Sequence, residues 1–82
     1  MSYRRTKRDR VLVVDDDASL AEMLTIVLES EGLTAGVCRS GDRVMAAFAQ
    51  FKPDVVLLDL MLPGLDGMSV CRKIREKSAV PI

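Results

Sequence analysis

The chain has no histidine, and its two cysteines, Cys38 and Cys71, stand 33 residues apart without C-x-x-C spacing. That removes the imidazole and thiolate pairs on which zinc and redox centres are usually built, and leaves both cysteines as free core thiols. No stretch approaches the ~18 apolar residues of a membrane span, and no apolar signal region follows the N-terminus, so no membrane contact and a cytoplasmic location are expected. Aromatic residues are scarce too. A single one, Tyr3, accompanies the basic run from Met1 to Arg10, which therefore reads as a solvated, disordered leader over residues 1–9 rather than a nucleic-acid arm. Internal repeats and low-complexity segments are absent. The net charge is zero but uneven: Met1 to Arg10 carry five basic residues against Asp9, leaving seven basic and eleven acidic groups in the rest of the chain. At 82 residues this is one small domain of marginal stability, folded over residues 10–82.

What the sequence does have is two acidic clusters, each closing an aliphatic run: Val11-Leu12-Val13-Val14-Asp15-Asp16-Asp17 and Val55-Val56-Leu57-Leu58-Asp59. Unbroken aliphatic runs of this length predict strands buried on both faces, as in a parallel sheet. Carboxylates at the ends of two such strands gather at one edge of the sheet, where open α/β folds bind their ligands.

Between the strands the pattern changes period. Leu20, Met23, Leu24, Val27 and Leu28 form the apolar stripe of an amphipathic helix, capped by Asp17 or Ser19 and ended by Gly32. A weaker strand is predicted at Thr34 to Cys38, followed by a turn at Ser40-Gly41 and a short helix with Val44, Ala47, Phe48 and Phe51 inward. Lys52-Pro53-Asp54 breaks that helix. After Asp59 a loop rich in turn formers leads to a helix from about Met68, with Val70, Cys71 and Ile74 on its apolar side. Three strands alternating with three helices predict right-handed βαβ units around a parallel sheet. Val80-Pro81-Ile82 reads as the start of a fourth strand that is cut off.

The acids suggest a chemistry. Mg²⁺ takes oxygen ligands and is typically held by one or two carboxylates together with phosphate oxygens. Asp15, Asp16 and Asp59 can supply them if the first and third strands are neighbours. Asp59 is then also placed as a nucleophile toward a phosphoryl group, because carboxylates form aspartyl phosphates and a metal neutralises the incoming anion. The plainer reading is that each Asp caps a helix or ends a strand. Three acids after one strand and another after a second are harder to explain that way, since packed carboxylates without a cation repel one another.

Val13-Val14-Asp15-Asp16, with Leu57-Leu58-Asp59-x-x-x-Pro63-Gly64-x-Asp66-Gly67 starting the Asp-x-x-x-Pro-x-x-x-Gly pattern 44 residues after Asp15, resembles the receiver domain of bacterial two-component response regulators. The resemblance implies a flavodoxin-like (CheY-like) α/β fold with helices on both faces of a parallel sheet. It implies that Asp59 accepts a phosphoryl group from a sensor histidine kinase. It further implies that Mg²⁺ is bound by Asp15, Asp16 and Asp59 with the backbone carbonyl of Met61, Asp16 being the direct ligand of the acidic pair. Such a domain is a phosphoacceptor with Mg²⁺-dependent self-phosphorylation, not a turnover enzyme. Asp17 has no matching role and is left as a helix cap. Pro63 and Gly67 are given a conformational role, Pro by fixing φ and Gly by permitting angles closed to other residues. Asp15-Asp16-Asp17-Ala18-Ser19-Leu20, Val70-Cys71-Arg72-Lys73-Ile74-Arg75 and Val80-Pro81-Ile82 are similar to the subfamily with a winged-helix, DNA-binding output domain.

The likeness covers the chain past its leader but only the first three of five βα units of a sheet ordered 2-1-3-4-5. Most of the fourth strand, the fifth strand and any DNA-binding output domain are expected to be missing. A third strand left bare at the sheet edge invites association, so the chain is expected either to form a swapped or edge-paired homo-oligomer or to be what remains ordered of a longer protein. Two other functions stand beside the phosphoacceptor reading. One is a chemically silent interaction module whose acids are only caps. The other is a Mg²⁺-dependent phosphohydrolase, which Met61 disfavours because it stands where such enzymes want a second acid.

Overall fold

Strand β1 (Arg10–Val14) is the centre of the sheet, and its burial explains its composition. In the computed structural model, which describes residues 9–62 and 66–82, β1 pairs in parallel with β2 (Thr34–Cys38) on one side and β3 (Val55–Leu58) on the other, giving the order β2-β1-β3. Val11, Leu12, Val13 and Val14 are all buried because both faces of β1 are covered. The leader lies outside the described residues except for Asp9, and so do Pro63 and Gly64.

Alternation along the strands sends successive side chains to opposite faces. Val11, Val13 and Val55 meet helix α1 (Ala18–Ser30) through Ala21, Leu24 and Leu28. Leu12, Val14 and Val56 meet helices α2 (Val44–Phe51) and α3 (Gly67–Arg75), whose Val44, Val70 and Ile74 complete a closed core. Helices therefore cover both faces, as the sequence predicts for this α/β class.

The helix ends have local causes. Asp17 caps α1, its carboxylate accepting the Leu20 amide at 3.1 Å. At the other end Gly32 takes φ 88°, and the amides of Gly32 and Leu33 donate back to Glu29 and Leu28 carbonyls, the glycine-terminated pattern that satisfies the last turn. Lys52 ends α2 in the left-handed region at φ 52°, one step before Pro53, which disfavours continued helix in the residue preceding it. A short 3-10 helix (Gly41–Arg43) occupies the predicted turn before α2.

Three expectations are corrected. The predicted stripe of α1 is only half used: Leu24 and Leu28 pack inward, but Leu20, Met23 and Val27 remain 38, 55 and 53% exposed, and Ala21 is the residue that is buried. The helix lies over β1 and β2, where a small side chain allows close approach. The third helix begins one residue earlier than predicted, at Gly67, because Asp66 caps it by accepting from the Ser69 amide and hydroxyl, both at 3.0 Å. Finally, β3 is not a bare edge, since the Val56 amide donates to the Pro81 carbonyl at 2.9 Å and Val80 packs against the core. Arg75 holds that stretch through the carbonyls of Ser78 and Val80. The residues read as an incipient fourth strand thus lie beside β3, and the edge on which a swapped or edge-paired oligomer rests is already engaged at Val56.

Both cysteines are free, Cys38 buried and Cys71 half-buried. Among the described residues no helix is long and apolar enough to cross a membrane.

Candidate functional site

The register of the sheet builds the site. Val14 of β1 stands opposite Leu58 of β3, so the next residues, Asp15 and Asp59, leave the sheet side by side at its C-terminal edge. The ladder continues under them: the Asp15 amide donates to the Cys38 carbonyl at 3.0 Å, and the Asp59 amide to the Val14 carbonyl at 2.9 Å. Neighbouring strands are about 4.8 Å apart. Two carboxylates on adjacent, in-register strands are therefore forced together by the backbone alone.

Asp16 joins them. Oxygens of Asp15, Asp16 and Asp59 all lie within 4.8 Å of one another, with Asp15 buried, Asp59 half-buried and Asp16 exposed. The group is graded from sheet to solvent. Its donors are all carboxylate oxygens, which suits a hard divalent cation and not a softer, nitrogen- or sulfur-preferring one. A dication also relieves the repulsion of three negative charges held this close.

Backbone amides fix the acids in place. The Asp17 amide donates to Asp15 Oδ1 at 3.0 Å and the Met61 amide to Asp59 Oδ1 at 2.9 Å. Each carboxylate is thereby oriented by the chain two residues ahead of it. Asp17 itself turns away to cap α1. The plain capping reading thus holds for Asp17 and for Asp66, whereas Asp15, Asp16 and Asp59 form a separate group. Met61 reaches the site through its backbone, and its side chain is 86% exposed. On the α1 side the acids border a groove of about 370 Å³ lined by Leu20, Leu24, Leu57 and Leu58.

Gly67 has a role that the sequence reading assigned to the wrong cause. Its φ is not in the left-handed region, where Gly32 is the only described glycine. Its reason is space: a Cβ there would meet the Leu60 Cα at 2.3 Å and the Asp59 carbonyl oxygen at 2.9 Å. The Gly67 amide also donates to the Leu60 carbonyl at 3.0 Å. The first turn of α3 is packed directly on the peptide that follows Asp59. The sequence reading did not name Asp66 as its cap; the signal was an Asp directly before the helix, where its carboxylate accepts the Ser69 amide three positions on.

The sequence pattern of the response regulator receiver domain matches residues 11–82. The chain belongs to the response regulator receiver family. Among its relatives, the DNA-binding response regulator MtrA of Mycobacterium tuberculosis is 58% identical over 77 residues, covering 94% of this chain and 34% of that protein. The transcriptional regulatory protein ResD of Bacillus subtilis is 44% identical over 78 residues, covering 95% of this chain and 32% of ResD. The chain spans about a third of the length of these relatives. Solved receivers share the fold. The BeF₃-activated receiver of RstA from Klebsiella pneumoniae superposes with a TM-score of 0.83 at 37% identity, covering 85% of this chain and 60% of that one. TrrA from Thermotoga maritima, in complex with Mg²⁺-BeF, gives 0.82 at 33% identity, covering 89% and 64%. This receiver therefore has the architecture of its family through its first three βα units, with the three acids meeting at the C-terminal edge of the sheet.

Proposed function

We propose that this chain is the phosphoacceptor part of a two-component response regulator, with Asp59 as the residue that takes the phosphoryl group. The observation that carries the reading is the convergence of Asp15, Asp16 and Asp59 within 4.8 Å in a member of the receiver family. The donor is the phosphohistidine of a sensor histidine kinase. A carboxylate oxygen of Asp59 attacks phosphorus, the P–N bond to the imidazole breaks, and the phosphoryl group leaves with Asp59 as an acyl phosphate. The Met61 amide holds Oδ1 during approach, and the Asp17 amide holds the Asp15 carboxyl beside the reacting group.

Mg²⁺ is the cation that fits the all-oxygen group, with Asp15, Asp16, Asp59 and the Met61 backbone carbonyl as its protein ligands. When bound it supplies the positive charge that lets a phosphoryl dianion approach three carboxylates. Met61 offers no acid or base to hydrolyse the acyl phosphate, in keeping with a phosphoacceptor rather than a turnover enzyme. Contact with DNA is made by an output domain in the part of the relatives' length that this chain does not span, and the whole acts in the cytoplasm.

The test is intact-mass measurement after treatment with acetyl phosphate and Mg²⁺. The expected result is a gain of one phosphoryl group in the native chain and none with Asp59→Asn. An equal gain in both chains would place the acceptor elsewhere, and no gain in either would remove the proposal.

A further inference from the structure

On the flank of the acid group away from α1, an open cavity of about 920 Å³ lies between the end of β2 and α2. Asp16 is part of its lining, as are Arg39, Ser40 and Arg43, with Val37 and Ala47 among its apolar residues. The two arginines differ from the other well-placed ones in the molecule. Arg10 is fixed by the Phe51 carbonyl at 2.7 Å and lies over the Phe51 ring, and Arg75 is fixed by the carbonyls that follow α3. Neither the Arg39 nor the Arg43 guanidinium makes a hydrogen bond, ion pair or ring contact with any described residue, and the Ser40 hydroxyl has no partner among them. Two guanidinium groups and a hydroxyl, all with unused donors, thus share one concavity.

We propose that this cavity binds a phosphate-class oxyanion through Arg39, Arg43 and Ser40, and that its affinity is coupled through Asp16 to the cation at the acid group. The donor count favours phosphate over carboxylate. A guanidinium offers a planar fork of N–H groups that one carboxylate satisfies, while two forks and a hydroxyl match the several acceptor oxygens of a tetrahedral anion. Asp16 supplies the coupling because it lines the cavity and also belongs to the acid group. Without a cation its negative charge opposes the anion. With one bound, that charge is neutralised and the two arginines act alone. By linkage the anion tightens the cation by the same factor. The coupling rests on the cation reading above; the anion site itself does not.

The experiment is a titration of the chain with inorganic phosphate at low ionic strength, following the side-chain Nε–H resonances of Arg39 and Arg43 and the Ser40 amide by NMR. Shifts that saturate on the order of millimolar are expected, since exposed ion pairs are individually weak. Arg39→Gln or Arg43→Gln weakens binding by about tenfold, as expected for loss of one charge-assisted contact. Inorganic phosphate is not a phosphoryl donor and the first titration is made without Mg²⁺, so a failure of Asp59 to accept phosphoryl groups does not touch this result. Mg²⁺ tightens phosphate severalfold, and Asp16→Asn does the same without Mg²⁺. Methyl phosphate binding as well as inorganic phosphate assigns the site to a phosphate monoester, and a clear preference for inorganic phosphate assigns it to the free ion. The proposal is overturned by shifts that never saturate, by an equal response to acetate at matched ionic strength, or by shifts confined to Asp15 and Asp59. Phosphate binding that Mg²⁺ leaves unchanged overturns the coupling.

Discussion

The two faces of the sheet are finished to different degrees. Beneath α2 and α3 the core is closed, with Val14, Val44, Val56 and Ile74 at 0% exposure. Beneath α1 only Val11, Val13 and Ala21 are buried, and Leu20, Met23, Ile26, Val27 and Leu57 remain open at 38 to 61%. The difference teaches where the acid group gets its rigidity. Asp59 follows a strand whose Val56 is locked in the closed face, and the peptide after it is pinned by the start of α3, which belongs to the same face. The open face borders the acids through the leucine-lined groove, and at the start of α1 it reaches them through the Asp17 backbone amide and not through the exposed apolar stripe. A disturbance of the closed face should therefore reach the site, and an equal deletion on the open face should not.

The sharpest form of that contrast is a pair of truncations. Ile74→Ala removes a side chain with no exposure from the closed core and should cost about 2–5 kcal/mol. For a domain whose total stability is only on the order of 5–15 kcal/mol, much of the folded population is at stake. Met23→Ala on the open face should stay within about 0.5 kcal/mol. Urea unfolding followed by circular dichroism measures both. Similar losses would mean that α1's exposed stripe is covered in solution and that the two faces are not distinct.

Gly67→Ala joins the closed face to the site. The added methyl cannot fit 2.3 Å from the Leu60 Cα, so either α3 or the Asp59–Leu60 peptide must move. Overpacking of this kind costs about 1–3 kcal/mol. Because the moved peptide carries Asp59, Mg²⁺ affinity measured by calorimetry should fall along with the melting temperature. A variant that loses stability but binds Mg²⁺ as before would show that α3 alone gives way.

These features were not equally visible in the sequence. Strand β2 lies where it was predicted, at about Thr34 to Cys38, because Gly32 and Ser40-Gly41 bracket it with turn chemistry. The acid group was legible because parallel pairing converts two strand ends into one place. The inward face of α1 was not. Its apolar arc is wide, and periodicity does not say which part of a wide arc meets the sheet; the burial of Ala21 depends on how closely the helix lies on β1 and β2. Gly67 was recognised as special but for its backbone freedom. A steric requirement imposed by a residue seven positions earlier, across a loop, leaves no local signal.

The neighbouring acids Asp16 and Asp17 sharpen the comparison at smaller scale. Asp17→Ala should lose the cap, about 0.5–2 kcal/mol, and leave Mg²⁺ affinity unchanged, since its carboxylate is turned to the Leu20 amide. Asp16→Ala should do the reverse, lowering Mg²⁺ affinity by about tenfold or more with little change in melting. Calorimetry and thermal melts on the two variants separate the roles. Loss of affinity in the Asp17 variant would mean that the acids divide differently.

The smallest effect is a pH dependence at the start of α3. Hydrogen bonds from the Ser69 amide and then its hydroxyl hold the Asp66 carboxyl below its ordinary value, with Arg72 adding a weaker attraction. The folded chain thus binds the Asp66 proton less readily than the unfolded chain. The stability it contributes is complete above the ordinary aspartate range and is lost as pH falls through the depressed folded value. Asp66→Ala should therefore melt below the native chain at neutral pH, and the gap should narrow on acidification. Since Asp66 is fully exposed, the gap should also shrink with salt. A gap that stays constant through the acid range would mean that a neutral Asp66 caps Gly67–Arg75 as well as the carboxylate does. The pinning of α3 onto the Asp59–Leu60 peptide would then depend on the Gly67 contact and not on charge.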